Sequence, residues 1–168
     1  MGRRGDADTY LRLVNTIREE LPDAIIRTTF LVGYYGEGEE EFEELLDFQR
    51  RARFDWAGTF SYSPEEGTAA LAYEEKPGFE REAEAAEERE KRLKEEQQRI
   101  SEERMERFVG RSLRVLIEER VEEEELYLGR AYLQAPEVDG AVVLHAEREL
   151  SPGAACSCRI VRRNNIDL

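Results

Sequence analysis

Residues Arg27–Phe48 read RTTFLVGYYGEGEEEFEELLDF, and the fold turns on how this run divides. From Ala24 to Val32 it is β-branched and apolar, which predicts a strand covered on both faces, as in a parallel sheet. Gly33, Gly36 and Gly38 then supply a turn. Glu39, Glu40 and Glu41 follow in what would be the first turn of a helix, where the macrodipole favours carboxylates. Phe42, Leu45, Leu46 and Gln49 recur at the spacing of one inward helical face. A strand, a glycine turn and a helix in that order form the kind of junction at which open α/β sheets bind ligands.

The flanking segments extend the same grammar. Residues 7–20, ADTYLRLVNTIREE, place Tyr10, Leu11, Val14 and Ile17 on one helical face, with Asp6 or Asp8 as the cap and Pro22 as the stop. DWAGTFSYS, Asp55–Ser63, reads as a second strand. Helix, strand, helix and strand predict an α/β unit with parallel strands. Two strands leave a sheet with bare edges, so this segment is expected to be part of a larger domain.

PEEGTAALAYEEKPG, residues 64–78, is punctuated by Pro64, Gly67, Pro77 and Gly78 and reads as a linker. Phe79 to Phe108 predicts one long charged helix, in which Phe79, Ala86, Leu93 and Ile100 recur every seven residues as a single narrow seam. Beyond Gly110 the apolar period changes to two. RSLRVLIEE, LYLGRAY, GAVVLHAE and AACSCRIV predict four short strands separated by Gly/Pro-bearing or acidic turns. The fold class expected is therefore α+β. It comprises a partial α/β segment at 1–78, a connecting helix at 79–108 and a small antiparallel β-barrel at 109–168.

Charge and chemistry narrow the function. The chain has 25 Lys and Arg against 39 Asp and Glu, a net charge of −14. Such a field repels phosphate backbones and argues against nonspecific nucleic-acid binding; it suits a basic partner. No apolar run reaches a membrane span, and the first ten residues hold no apolar signal core, so a cytoplasmic protein is expected. Cys156 and Cys158 are separated by one residue and should share a strand face with Ile160. With His145 the only histidine, they fall short of the four ligands of a zinc site or the spaced cysteines of an iron–sulfur cluster, so no metal site is expected.

Three stretches together, RTTFLVGYYGEGEEEFEELLDF, FSYSPEEGTAA (Phe60–Ala70) and GRAYLQAPEVDGAVV (Gly129–Val143), resemble the radical S-adenosylmethionine methylthiotransferases. The likeness is greatest to the members that modify an aspartate of a small-subunit ribosomal protein. It implies that residues 1–78 are the C-terminal part of a radical SAM domain and that 109–168 are a TRAM barrel. The family's CxxxCxxC cluster motif and its N-terminal domain have no counterpart in the sequence, so a missing N-terminal half is expected. The intact family enzyme uses S-adenosylmethionine and 4Fe-4S clusters, and this chain alone is expected to hold neither a cluster nor catalytic residues.

The same resemblance implies that Leu31, Val32, Gly33, Ser61, Tyr62 and Ser63 line the nucleoside part of a S-adenosylmethionine pocket. Tyr35 stands where the family has proline and Gly38 where it has threonine, which loosens the turn and the helix cap. In the TRAM segment, Phe108–Leu168, eleven acids face eight arginines, and six glutamates crowd Glu118–Glu125. This favours docking of a lysine-rich ribosomal protein through Glu122, Glu123, Glu124, Glu125 and Asp139. Two other readings stay open on the residues alone. One is a non-catalytic acidic module that binds a basic protein; the other is part of the related enzyme acting on transfer RNA.

Overall fold

In a computed structural model of the chain, residues 5–68, 70–71, 79–121 and 125–168 are described, with the backbone alone at 79–83. They fall into two compact units, within residues 1–100 and 101–168.

The first unit contains α1 (Ala7–Glu20), β1 (Arg27–Val32), α2 (Glu39–Ala52), β2 (Trp56–Ser61) and α3 (Phe79–Met105), the last as far as Ile100. Asp6 is the cap of α1: its Oδ1 accepts from the Thr9 amide at 2.7 Å. The helix buries Leu11 and Val14. Tyr10, expected on that face, is 43% exposed because its ring lies against the backbone at Gly5 instead.

β1 and β2 pair in parallel, in register from Arg27 opposite Trp56 to Val32 opposite Ser61. The expectation of burial on both faces fails. Phe30 and Val32 join a core with Phe42, Leu46 and Phe54, but the other face carries an exposed Thr29, a half-buried Leu31 and a Phe60 that is 59% exposed. The strand also begins at Arg27 rather than Ala24. Ile25 and Ile26 lengthened the apolar run without belonging to the strand, and no described element covers its second face.

Gly38 caps α2 without a side chain, and Glu41 supplies the missing half by accepting from the Gly38 amide at 2.9 Å. The inward face is Phe42, Leu46, Gln49 and Ala52, with Leu45 packed at its margin. Along α3, Ala86, Leu93 and Ile100 of the seven-residue seam are buried. Between them lie two buried polar residues, Arg89 and Gln97. Gln49 Nε2 donates to the Leu93 carbonyl (3.0 Å) and to Gln97 Oε1 (3.2 Å), while Gln97 Nε2 donates to the Phe54 carbonyl (3.0 Å). These amides bond to one another and to backbone, which offsets much of the cost of burying them. Arg92 reinforces the contact, pairing with Glu39 and Glu43 and lying over the Phe42 ring at 4.6 Å.

The second unit starts with the last turn of α3 and a 3-10 turn at Glu106–Phe108, followed by β3 (Ser112–Arg120), β4 (Leu126–Arg130), β5 (Val142–His145) and β6 (Ala155–Arg159). The four strands form a curled antiparallel half-barrel in the order β5-β4-β3-β6. Leu113, Val115 and Ile117 alternate inward along β3, the period-two pattern of the sequence. The register slips between Ile117 and Glu119, a bulge of the kind that bends a strand. Opposite it, a Cβ on Gly129 would come 2.4 Å from the Leu116 carbonyl oxygen and 2.8 Å from Val115 Cγ1. Only glycine fits there. At Gly58 the nearest atom to an added Cβ is a Phe60 ring carbon at 3.5 Å. Gly129→Ala should therefore lower stability by about 1–3 kcal/mol, well beyond the cost of Gly58→Ala, in urea denaturation of the two variants. Equal losses would show that β4 relaxes away from β3 freely.

Candidate functional site

The first candidate site lies at the C-terminal ends of β1 and β2. Gly33 takes a φ of 75°, a left-handed conformation natural to glycine. Its amide donates to Glu37 Oε1 at 3.0 Å. Arg89 Nη1, from α3, donates to that same Oε1 at 2.8 Å and to the Glu37 carbonyl at 2.9 Å. The Arg89 and Glu37 side chains are only 9% and 13% exposed, so the turn is fixed by a charge-assisted pair shielded from water. On the neighbouring strand the Tyr62 amide donates to the Val32 carbonyl at 2.8 Å, and the Tyr34 and Tyr62 rings meet edge to face at 5.1 Å. The Ser61 hydroxyl donates to Glu90. Lys94 first, and then Ser61, hold the Glu90 carboxyl below the usual carboxylate range.

Of the residues singled out from sequence, Val32, Gly33, Ser61 and Tyr62 come together through the parallel pairing. Val32 is fully buried among the core side chains, Gly33 is buried, and Ser61 and Tyr62 are half-buried. Leu31 points to the opposite face, in register with Phe60, and Ser63 is exposed. Sequence reasoning missed Phe60, Glu37, Arg89 and Glu90. Phe60 could not be placed beside Leu31 from sequence, since their pairing depends on the register between the two strands. Arg89 offered no signal either, because a charged residue in a helix seam reads as solvated. The described residues hold no group of three or more His, Cys, Asp or Glu arranged for a metal ion, and no helix among them is long and apolar enough to cross a membrane.

The second candidate site is the loop QAPEVDG between β4 and β5. Asp139 Oδ2 accepts from the Ala135 amide at 2.7 Å, and Gln134 Oε1 accepts from the Ala131 amide at 3.0 Å. The loop is thus folded on its own side chains, which leave Val138 70% and Tyr132 60% exposed. At its end a Cβ on Gly140 would meet Asp167 Oδ1 at 2.7 Å. That close approach lets Asp167 accept from the Ala141 amide and lets Leu168 bond the edge of β5, through the Val143 amide and the Ala141 carbonyl. Glu125 is exposed and faces His145 Nε2 at 3.4 Å. Glu122, Glu123 and Glu124 lie outside the described residues.

Residues 109–168 match the family model described as TRAM domain. The half-barrel is a TRAM domain. Over all 168 residues the chain is 44% identical to a protein named ribosomal protein uS12 methylthiotransferase RimO from Shewanella amazonensis, and 43% and 42% identical to proteins of the same name from Shewanella oneidensis and another Shewanella species. The whole chain is related to these methylthiotransferases, and the TRAM domain is one part of that likeness. The chain of 168 residues spans 34% of the length of the relatives it matches.

The Glu37–Arg89 pair sets a testable condition on the strand-end site. Arg89→Met keeps the bulk and removes the cation, leaving a shielded carboxylate without its partner. The variant should lose about 3–5 kcal/mol of stability and exchange the Gly33 amide hydrogen faster. Unchanged exchange at Gly33 would show that its glycines alone hold the turn.

Proposed function

We propose that the chain is part of a ribosomal protein methylthiotransferase, which inserts sulfur at the β-carbon of an aspartate in a small-subunit ribosomal protein and methylates it. The observation that carries this reading is the 42–44% identity, extending over all 168 residues, to relatives whose name specifies uS12 as substrate. In this reading residues 1–78 are the C-terminal part of a radical SAM domain, 79–108 a connecting helix, and 109–168 a domain that docks the substrate protein.

The cluster chemistry of such an enzyme does not fit residues of this chain. Its two cysteines are one residue apart, and no described group offers the three thiolates that a 4Fe-4S cluster open to S-adenosylmethionine requires. No step is assigned to a cluster on this chain. The strand ends do suit the nucleoside of S-adenosylmethionine, whose cleavage supplies the carbon-centred radical in the intact enzyme. Leu31 and Phe60 present adjacent apolar surface to flank an adenine, and Gly33 allows close backbone approach. The Gly33 amide and Ser61 hydroxyl are already bonded to Glu37 and Glu90, so these residues shape the pocket wall. Glu37, Arg89 and Glu90 hold that wall in place.

Docking rests on charge. Glu122–Glu125 place four carboxylates in a row, a complement to a lysine-rich surface. Asp139 acts through the loop that it folds, presenting Val138 and Tyr132. The related activity on transfer RNA is the second reading, favoured by Arg148, Arg159 and Arg162 along one side of the half-barrel.

Titration of the purified chain with uS12 and with transfer RNA at several salt concentrations separates the readings. Binding to uS12, weakened about tenfold (about 1.4 kcal/mol) when Glu122–Glu125 are all changed to lysine, is the expected result. Binding to transfer RNA that falls steeply with salt, with none to uS12, would overturn it. The chain should also stay colourless after anaerobic treatment with iron and sulfide, whereas a stable brown species would show a cluster site on this chain.

A further inference from the structure

Cys156 and Cys158 have no role in substrate docking or in nucleoside binding, yet their placement is specific. They are the only cysteines of the chain, and both are half-buried on β6, on the face that also buries Ile160. Their sulfur atoms lie 3.3 Å apart. β6 is an edge strand of the half-barrel; among the described residues it pairs with β3 alone, and no described strand lies along its other side. The two thiols open onto a groove of about 700 Å³ running between the two edge strands, β5 and β6. Arg148, Arg159 and Arg162 stand along that groove and outnumber the carboxylate of Asp167 there, giving it a net cationic lining in a chain that is otherwise strongly acidic.

We propose that Cys156 and Cys158 form a reversible dithiol–disulfide site on the edge of the TRAM half-barrel, oxidised by anionic low-molecular-weight disulfides of the glutathione type. The groove arginines attract the carboxylates of such a reagent. One of the two thiols loses its proton, and its thiolate displaces one glutathione thiolate from the disulfide; the released thiolate takes up a proton, and a mixed disulfide remains on that cysteine. The other thiol, whose sulfur lies 3.3 Å away, then loses its proton and attacks the protein sulfur of the mixed disulfide, expelling the second glutathione. Two cysteine thiols and one glutathione disulfide become one protein disulfide and two glutathione thiols, with no other oxidant needed.

Positions two apart on an extended strand have Cα atoms about 6.6 Å apart, near the upper end of the range that a disulfide spans. Closing the bridge therefore draws β6 in and strains it, which favours ready reduction by excess thiol. An edge strand accommodates that movement because only its pairing with β3 is disturbed.

The test is incubation of the purified chain with glutathione disulfide, followed by thiol counting, intact mass measurement and non-reducing electrophoresis. Loss of both titratable thiols, a mass lower by two hydrogens, a monomeric band and full recovery with dithiothreitol are expected. Cys156→Ser and Cys158→Ser should each stop short of a bridge, and at least one of the two should accumulate a stable glutathione adduct. Faster amide exchange along β6 in the oxidised chain is the accompanying structural signature. A persistent glutathione adduct on the unaltered chain, disulfide-linked dimers, or thiols that survive the treatment would each overturn the proposal, and the unaltered chain alone suffices to decide.

Discussion

The shielded pair between Arg89 and Glu37 is the constraint around which the first unit is organised. Two charged groups shielded from water persist there because Glu37 Oε1 and Arg89 Nη1 are bonded to each other and to backbone groups of the turn. Glu37 answers to the Gly33 amide on one side and to the guanidinium on the other. A helix that begins more than forty residues later thereby dictates the conformation of the strand–helix turn. Without that carboxylate between them, Gly33 and Gly36 would give the turn freedom rather than shape.

The second unit solves a different problem, closing a curved sheet with few residues. Its devices are local: a bulge in β3, a missing Cβ at Gly129 where the strands come closest, and another at Gly140 where the C-terminal residues bond the edge of β5. QAPEVDG is closed by equally local means, since Asp139 and Gln134 bond the Ala135 and Ala131 amides.

Much of this was legible in the sequence, and the failures have physical causes. The inward face of α2 followed from spacing because helix periodicity is enforced by a core on one side. The change to period two after Gly110 marked the half-barrel for the same reason. Double-sided burial of β1 was inferred from apolar composition, but composition does not say where a strand starts or whether a second layer covers it. The seam of α3 was read from Ala86, Leu93 and Ile100, while Arg89 and Gln97 in the same seam were passed over. Polar residues inside a seam declare themselves only when their partners are known, and Glu37, Gln49 and Phe54 lie far away along the chain. The pairing of Leu31 with Phe60 was missed because register between parallel strands is a tertiary property.

The amide network of Gln49, Leu93, Gln97 and Phe54 also has a consequence for the order of events during synthesis. Its bonds join positions 43 to 48 residues apart, and the Arg89–Glu37 bond spans 52. As the chain leaves the ribosome, α1, β1, α2 and β2 emerge well before α3. During that interval the Gln49 amide and the Glu37 carboxylate must remain hydrated, which opposes closure of the core next to them. The partners of both groups are thus supplied to the first unit only once α3 has been synthesised.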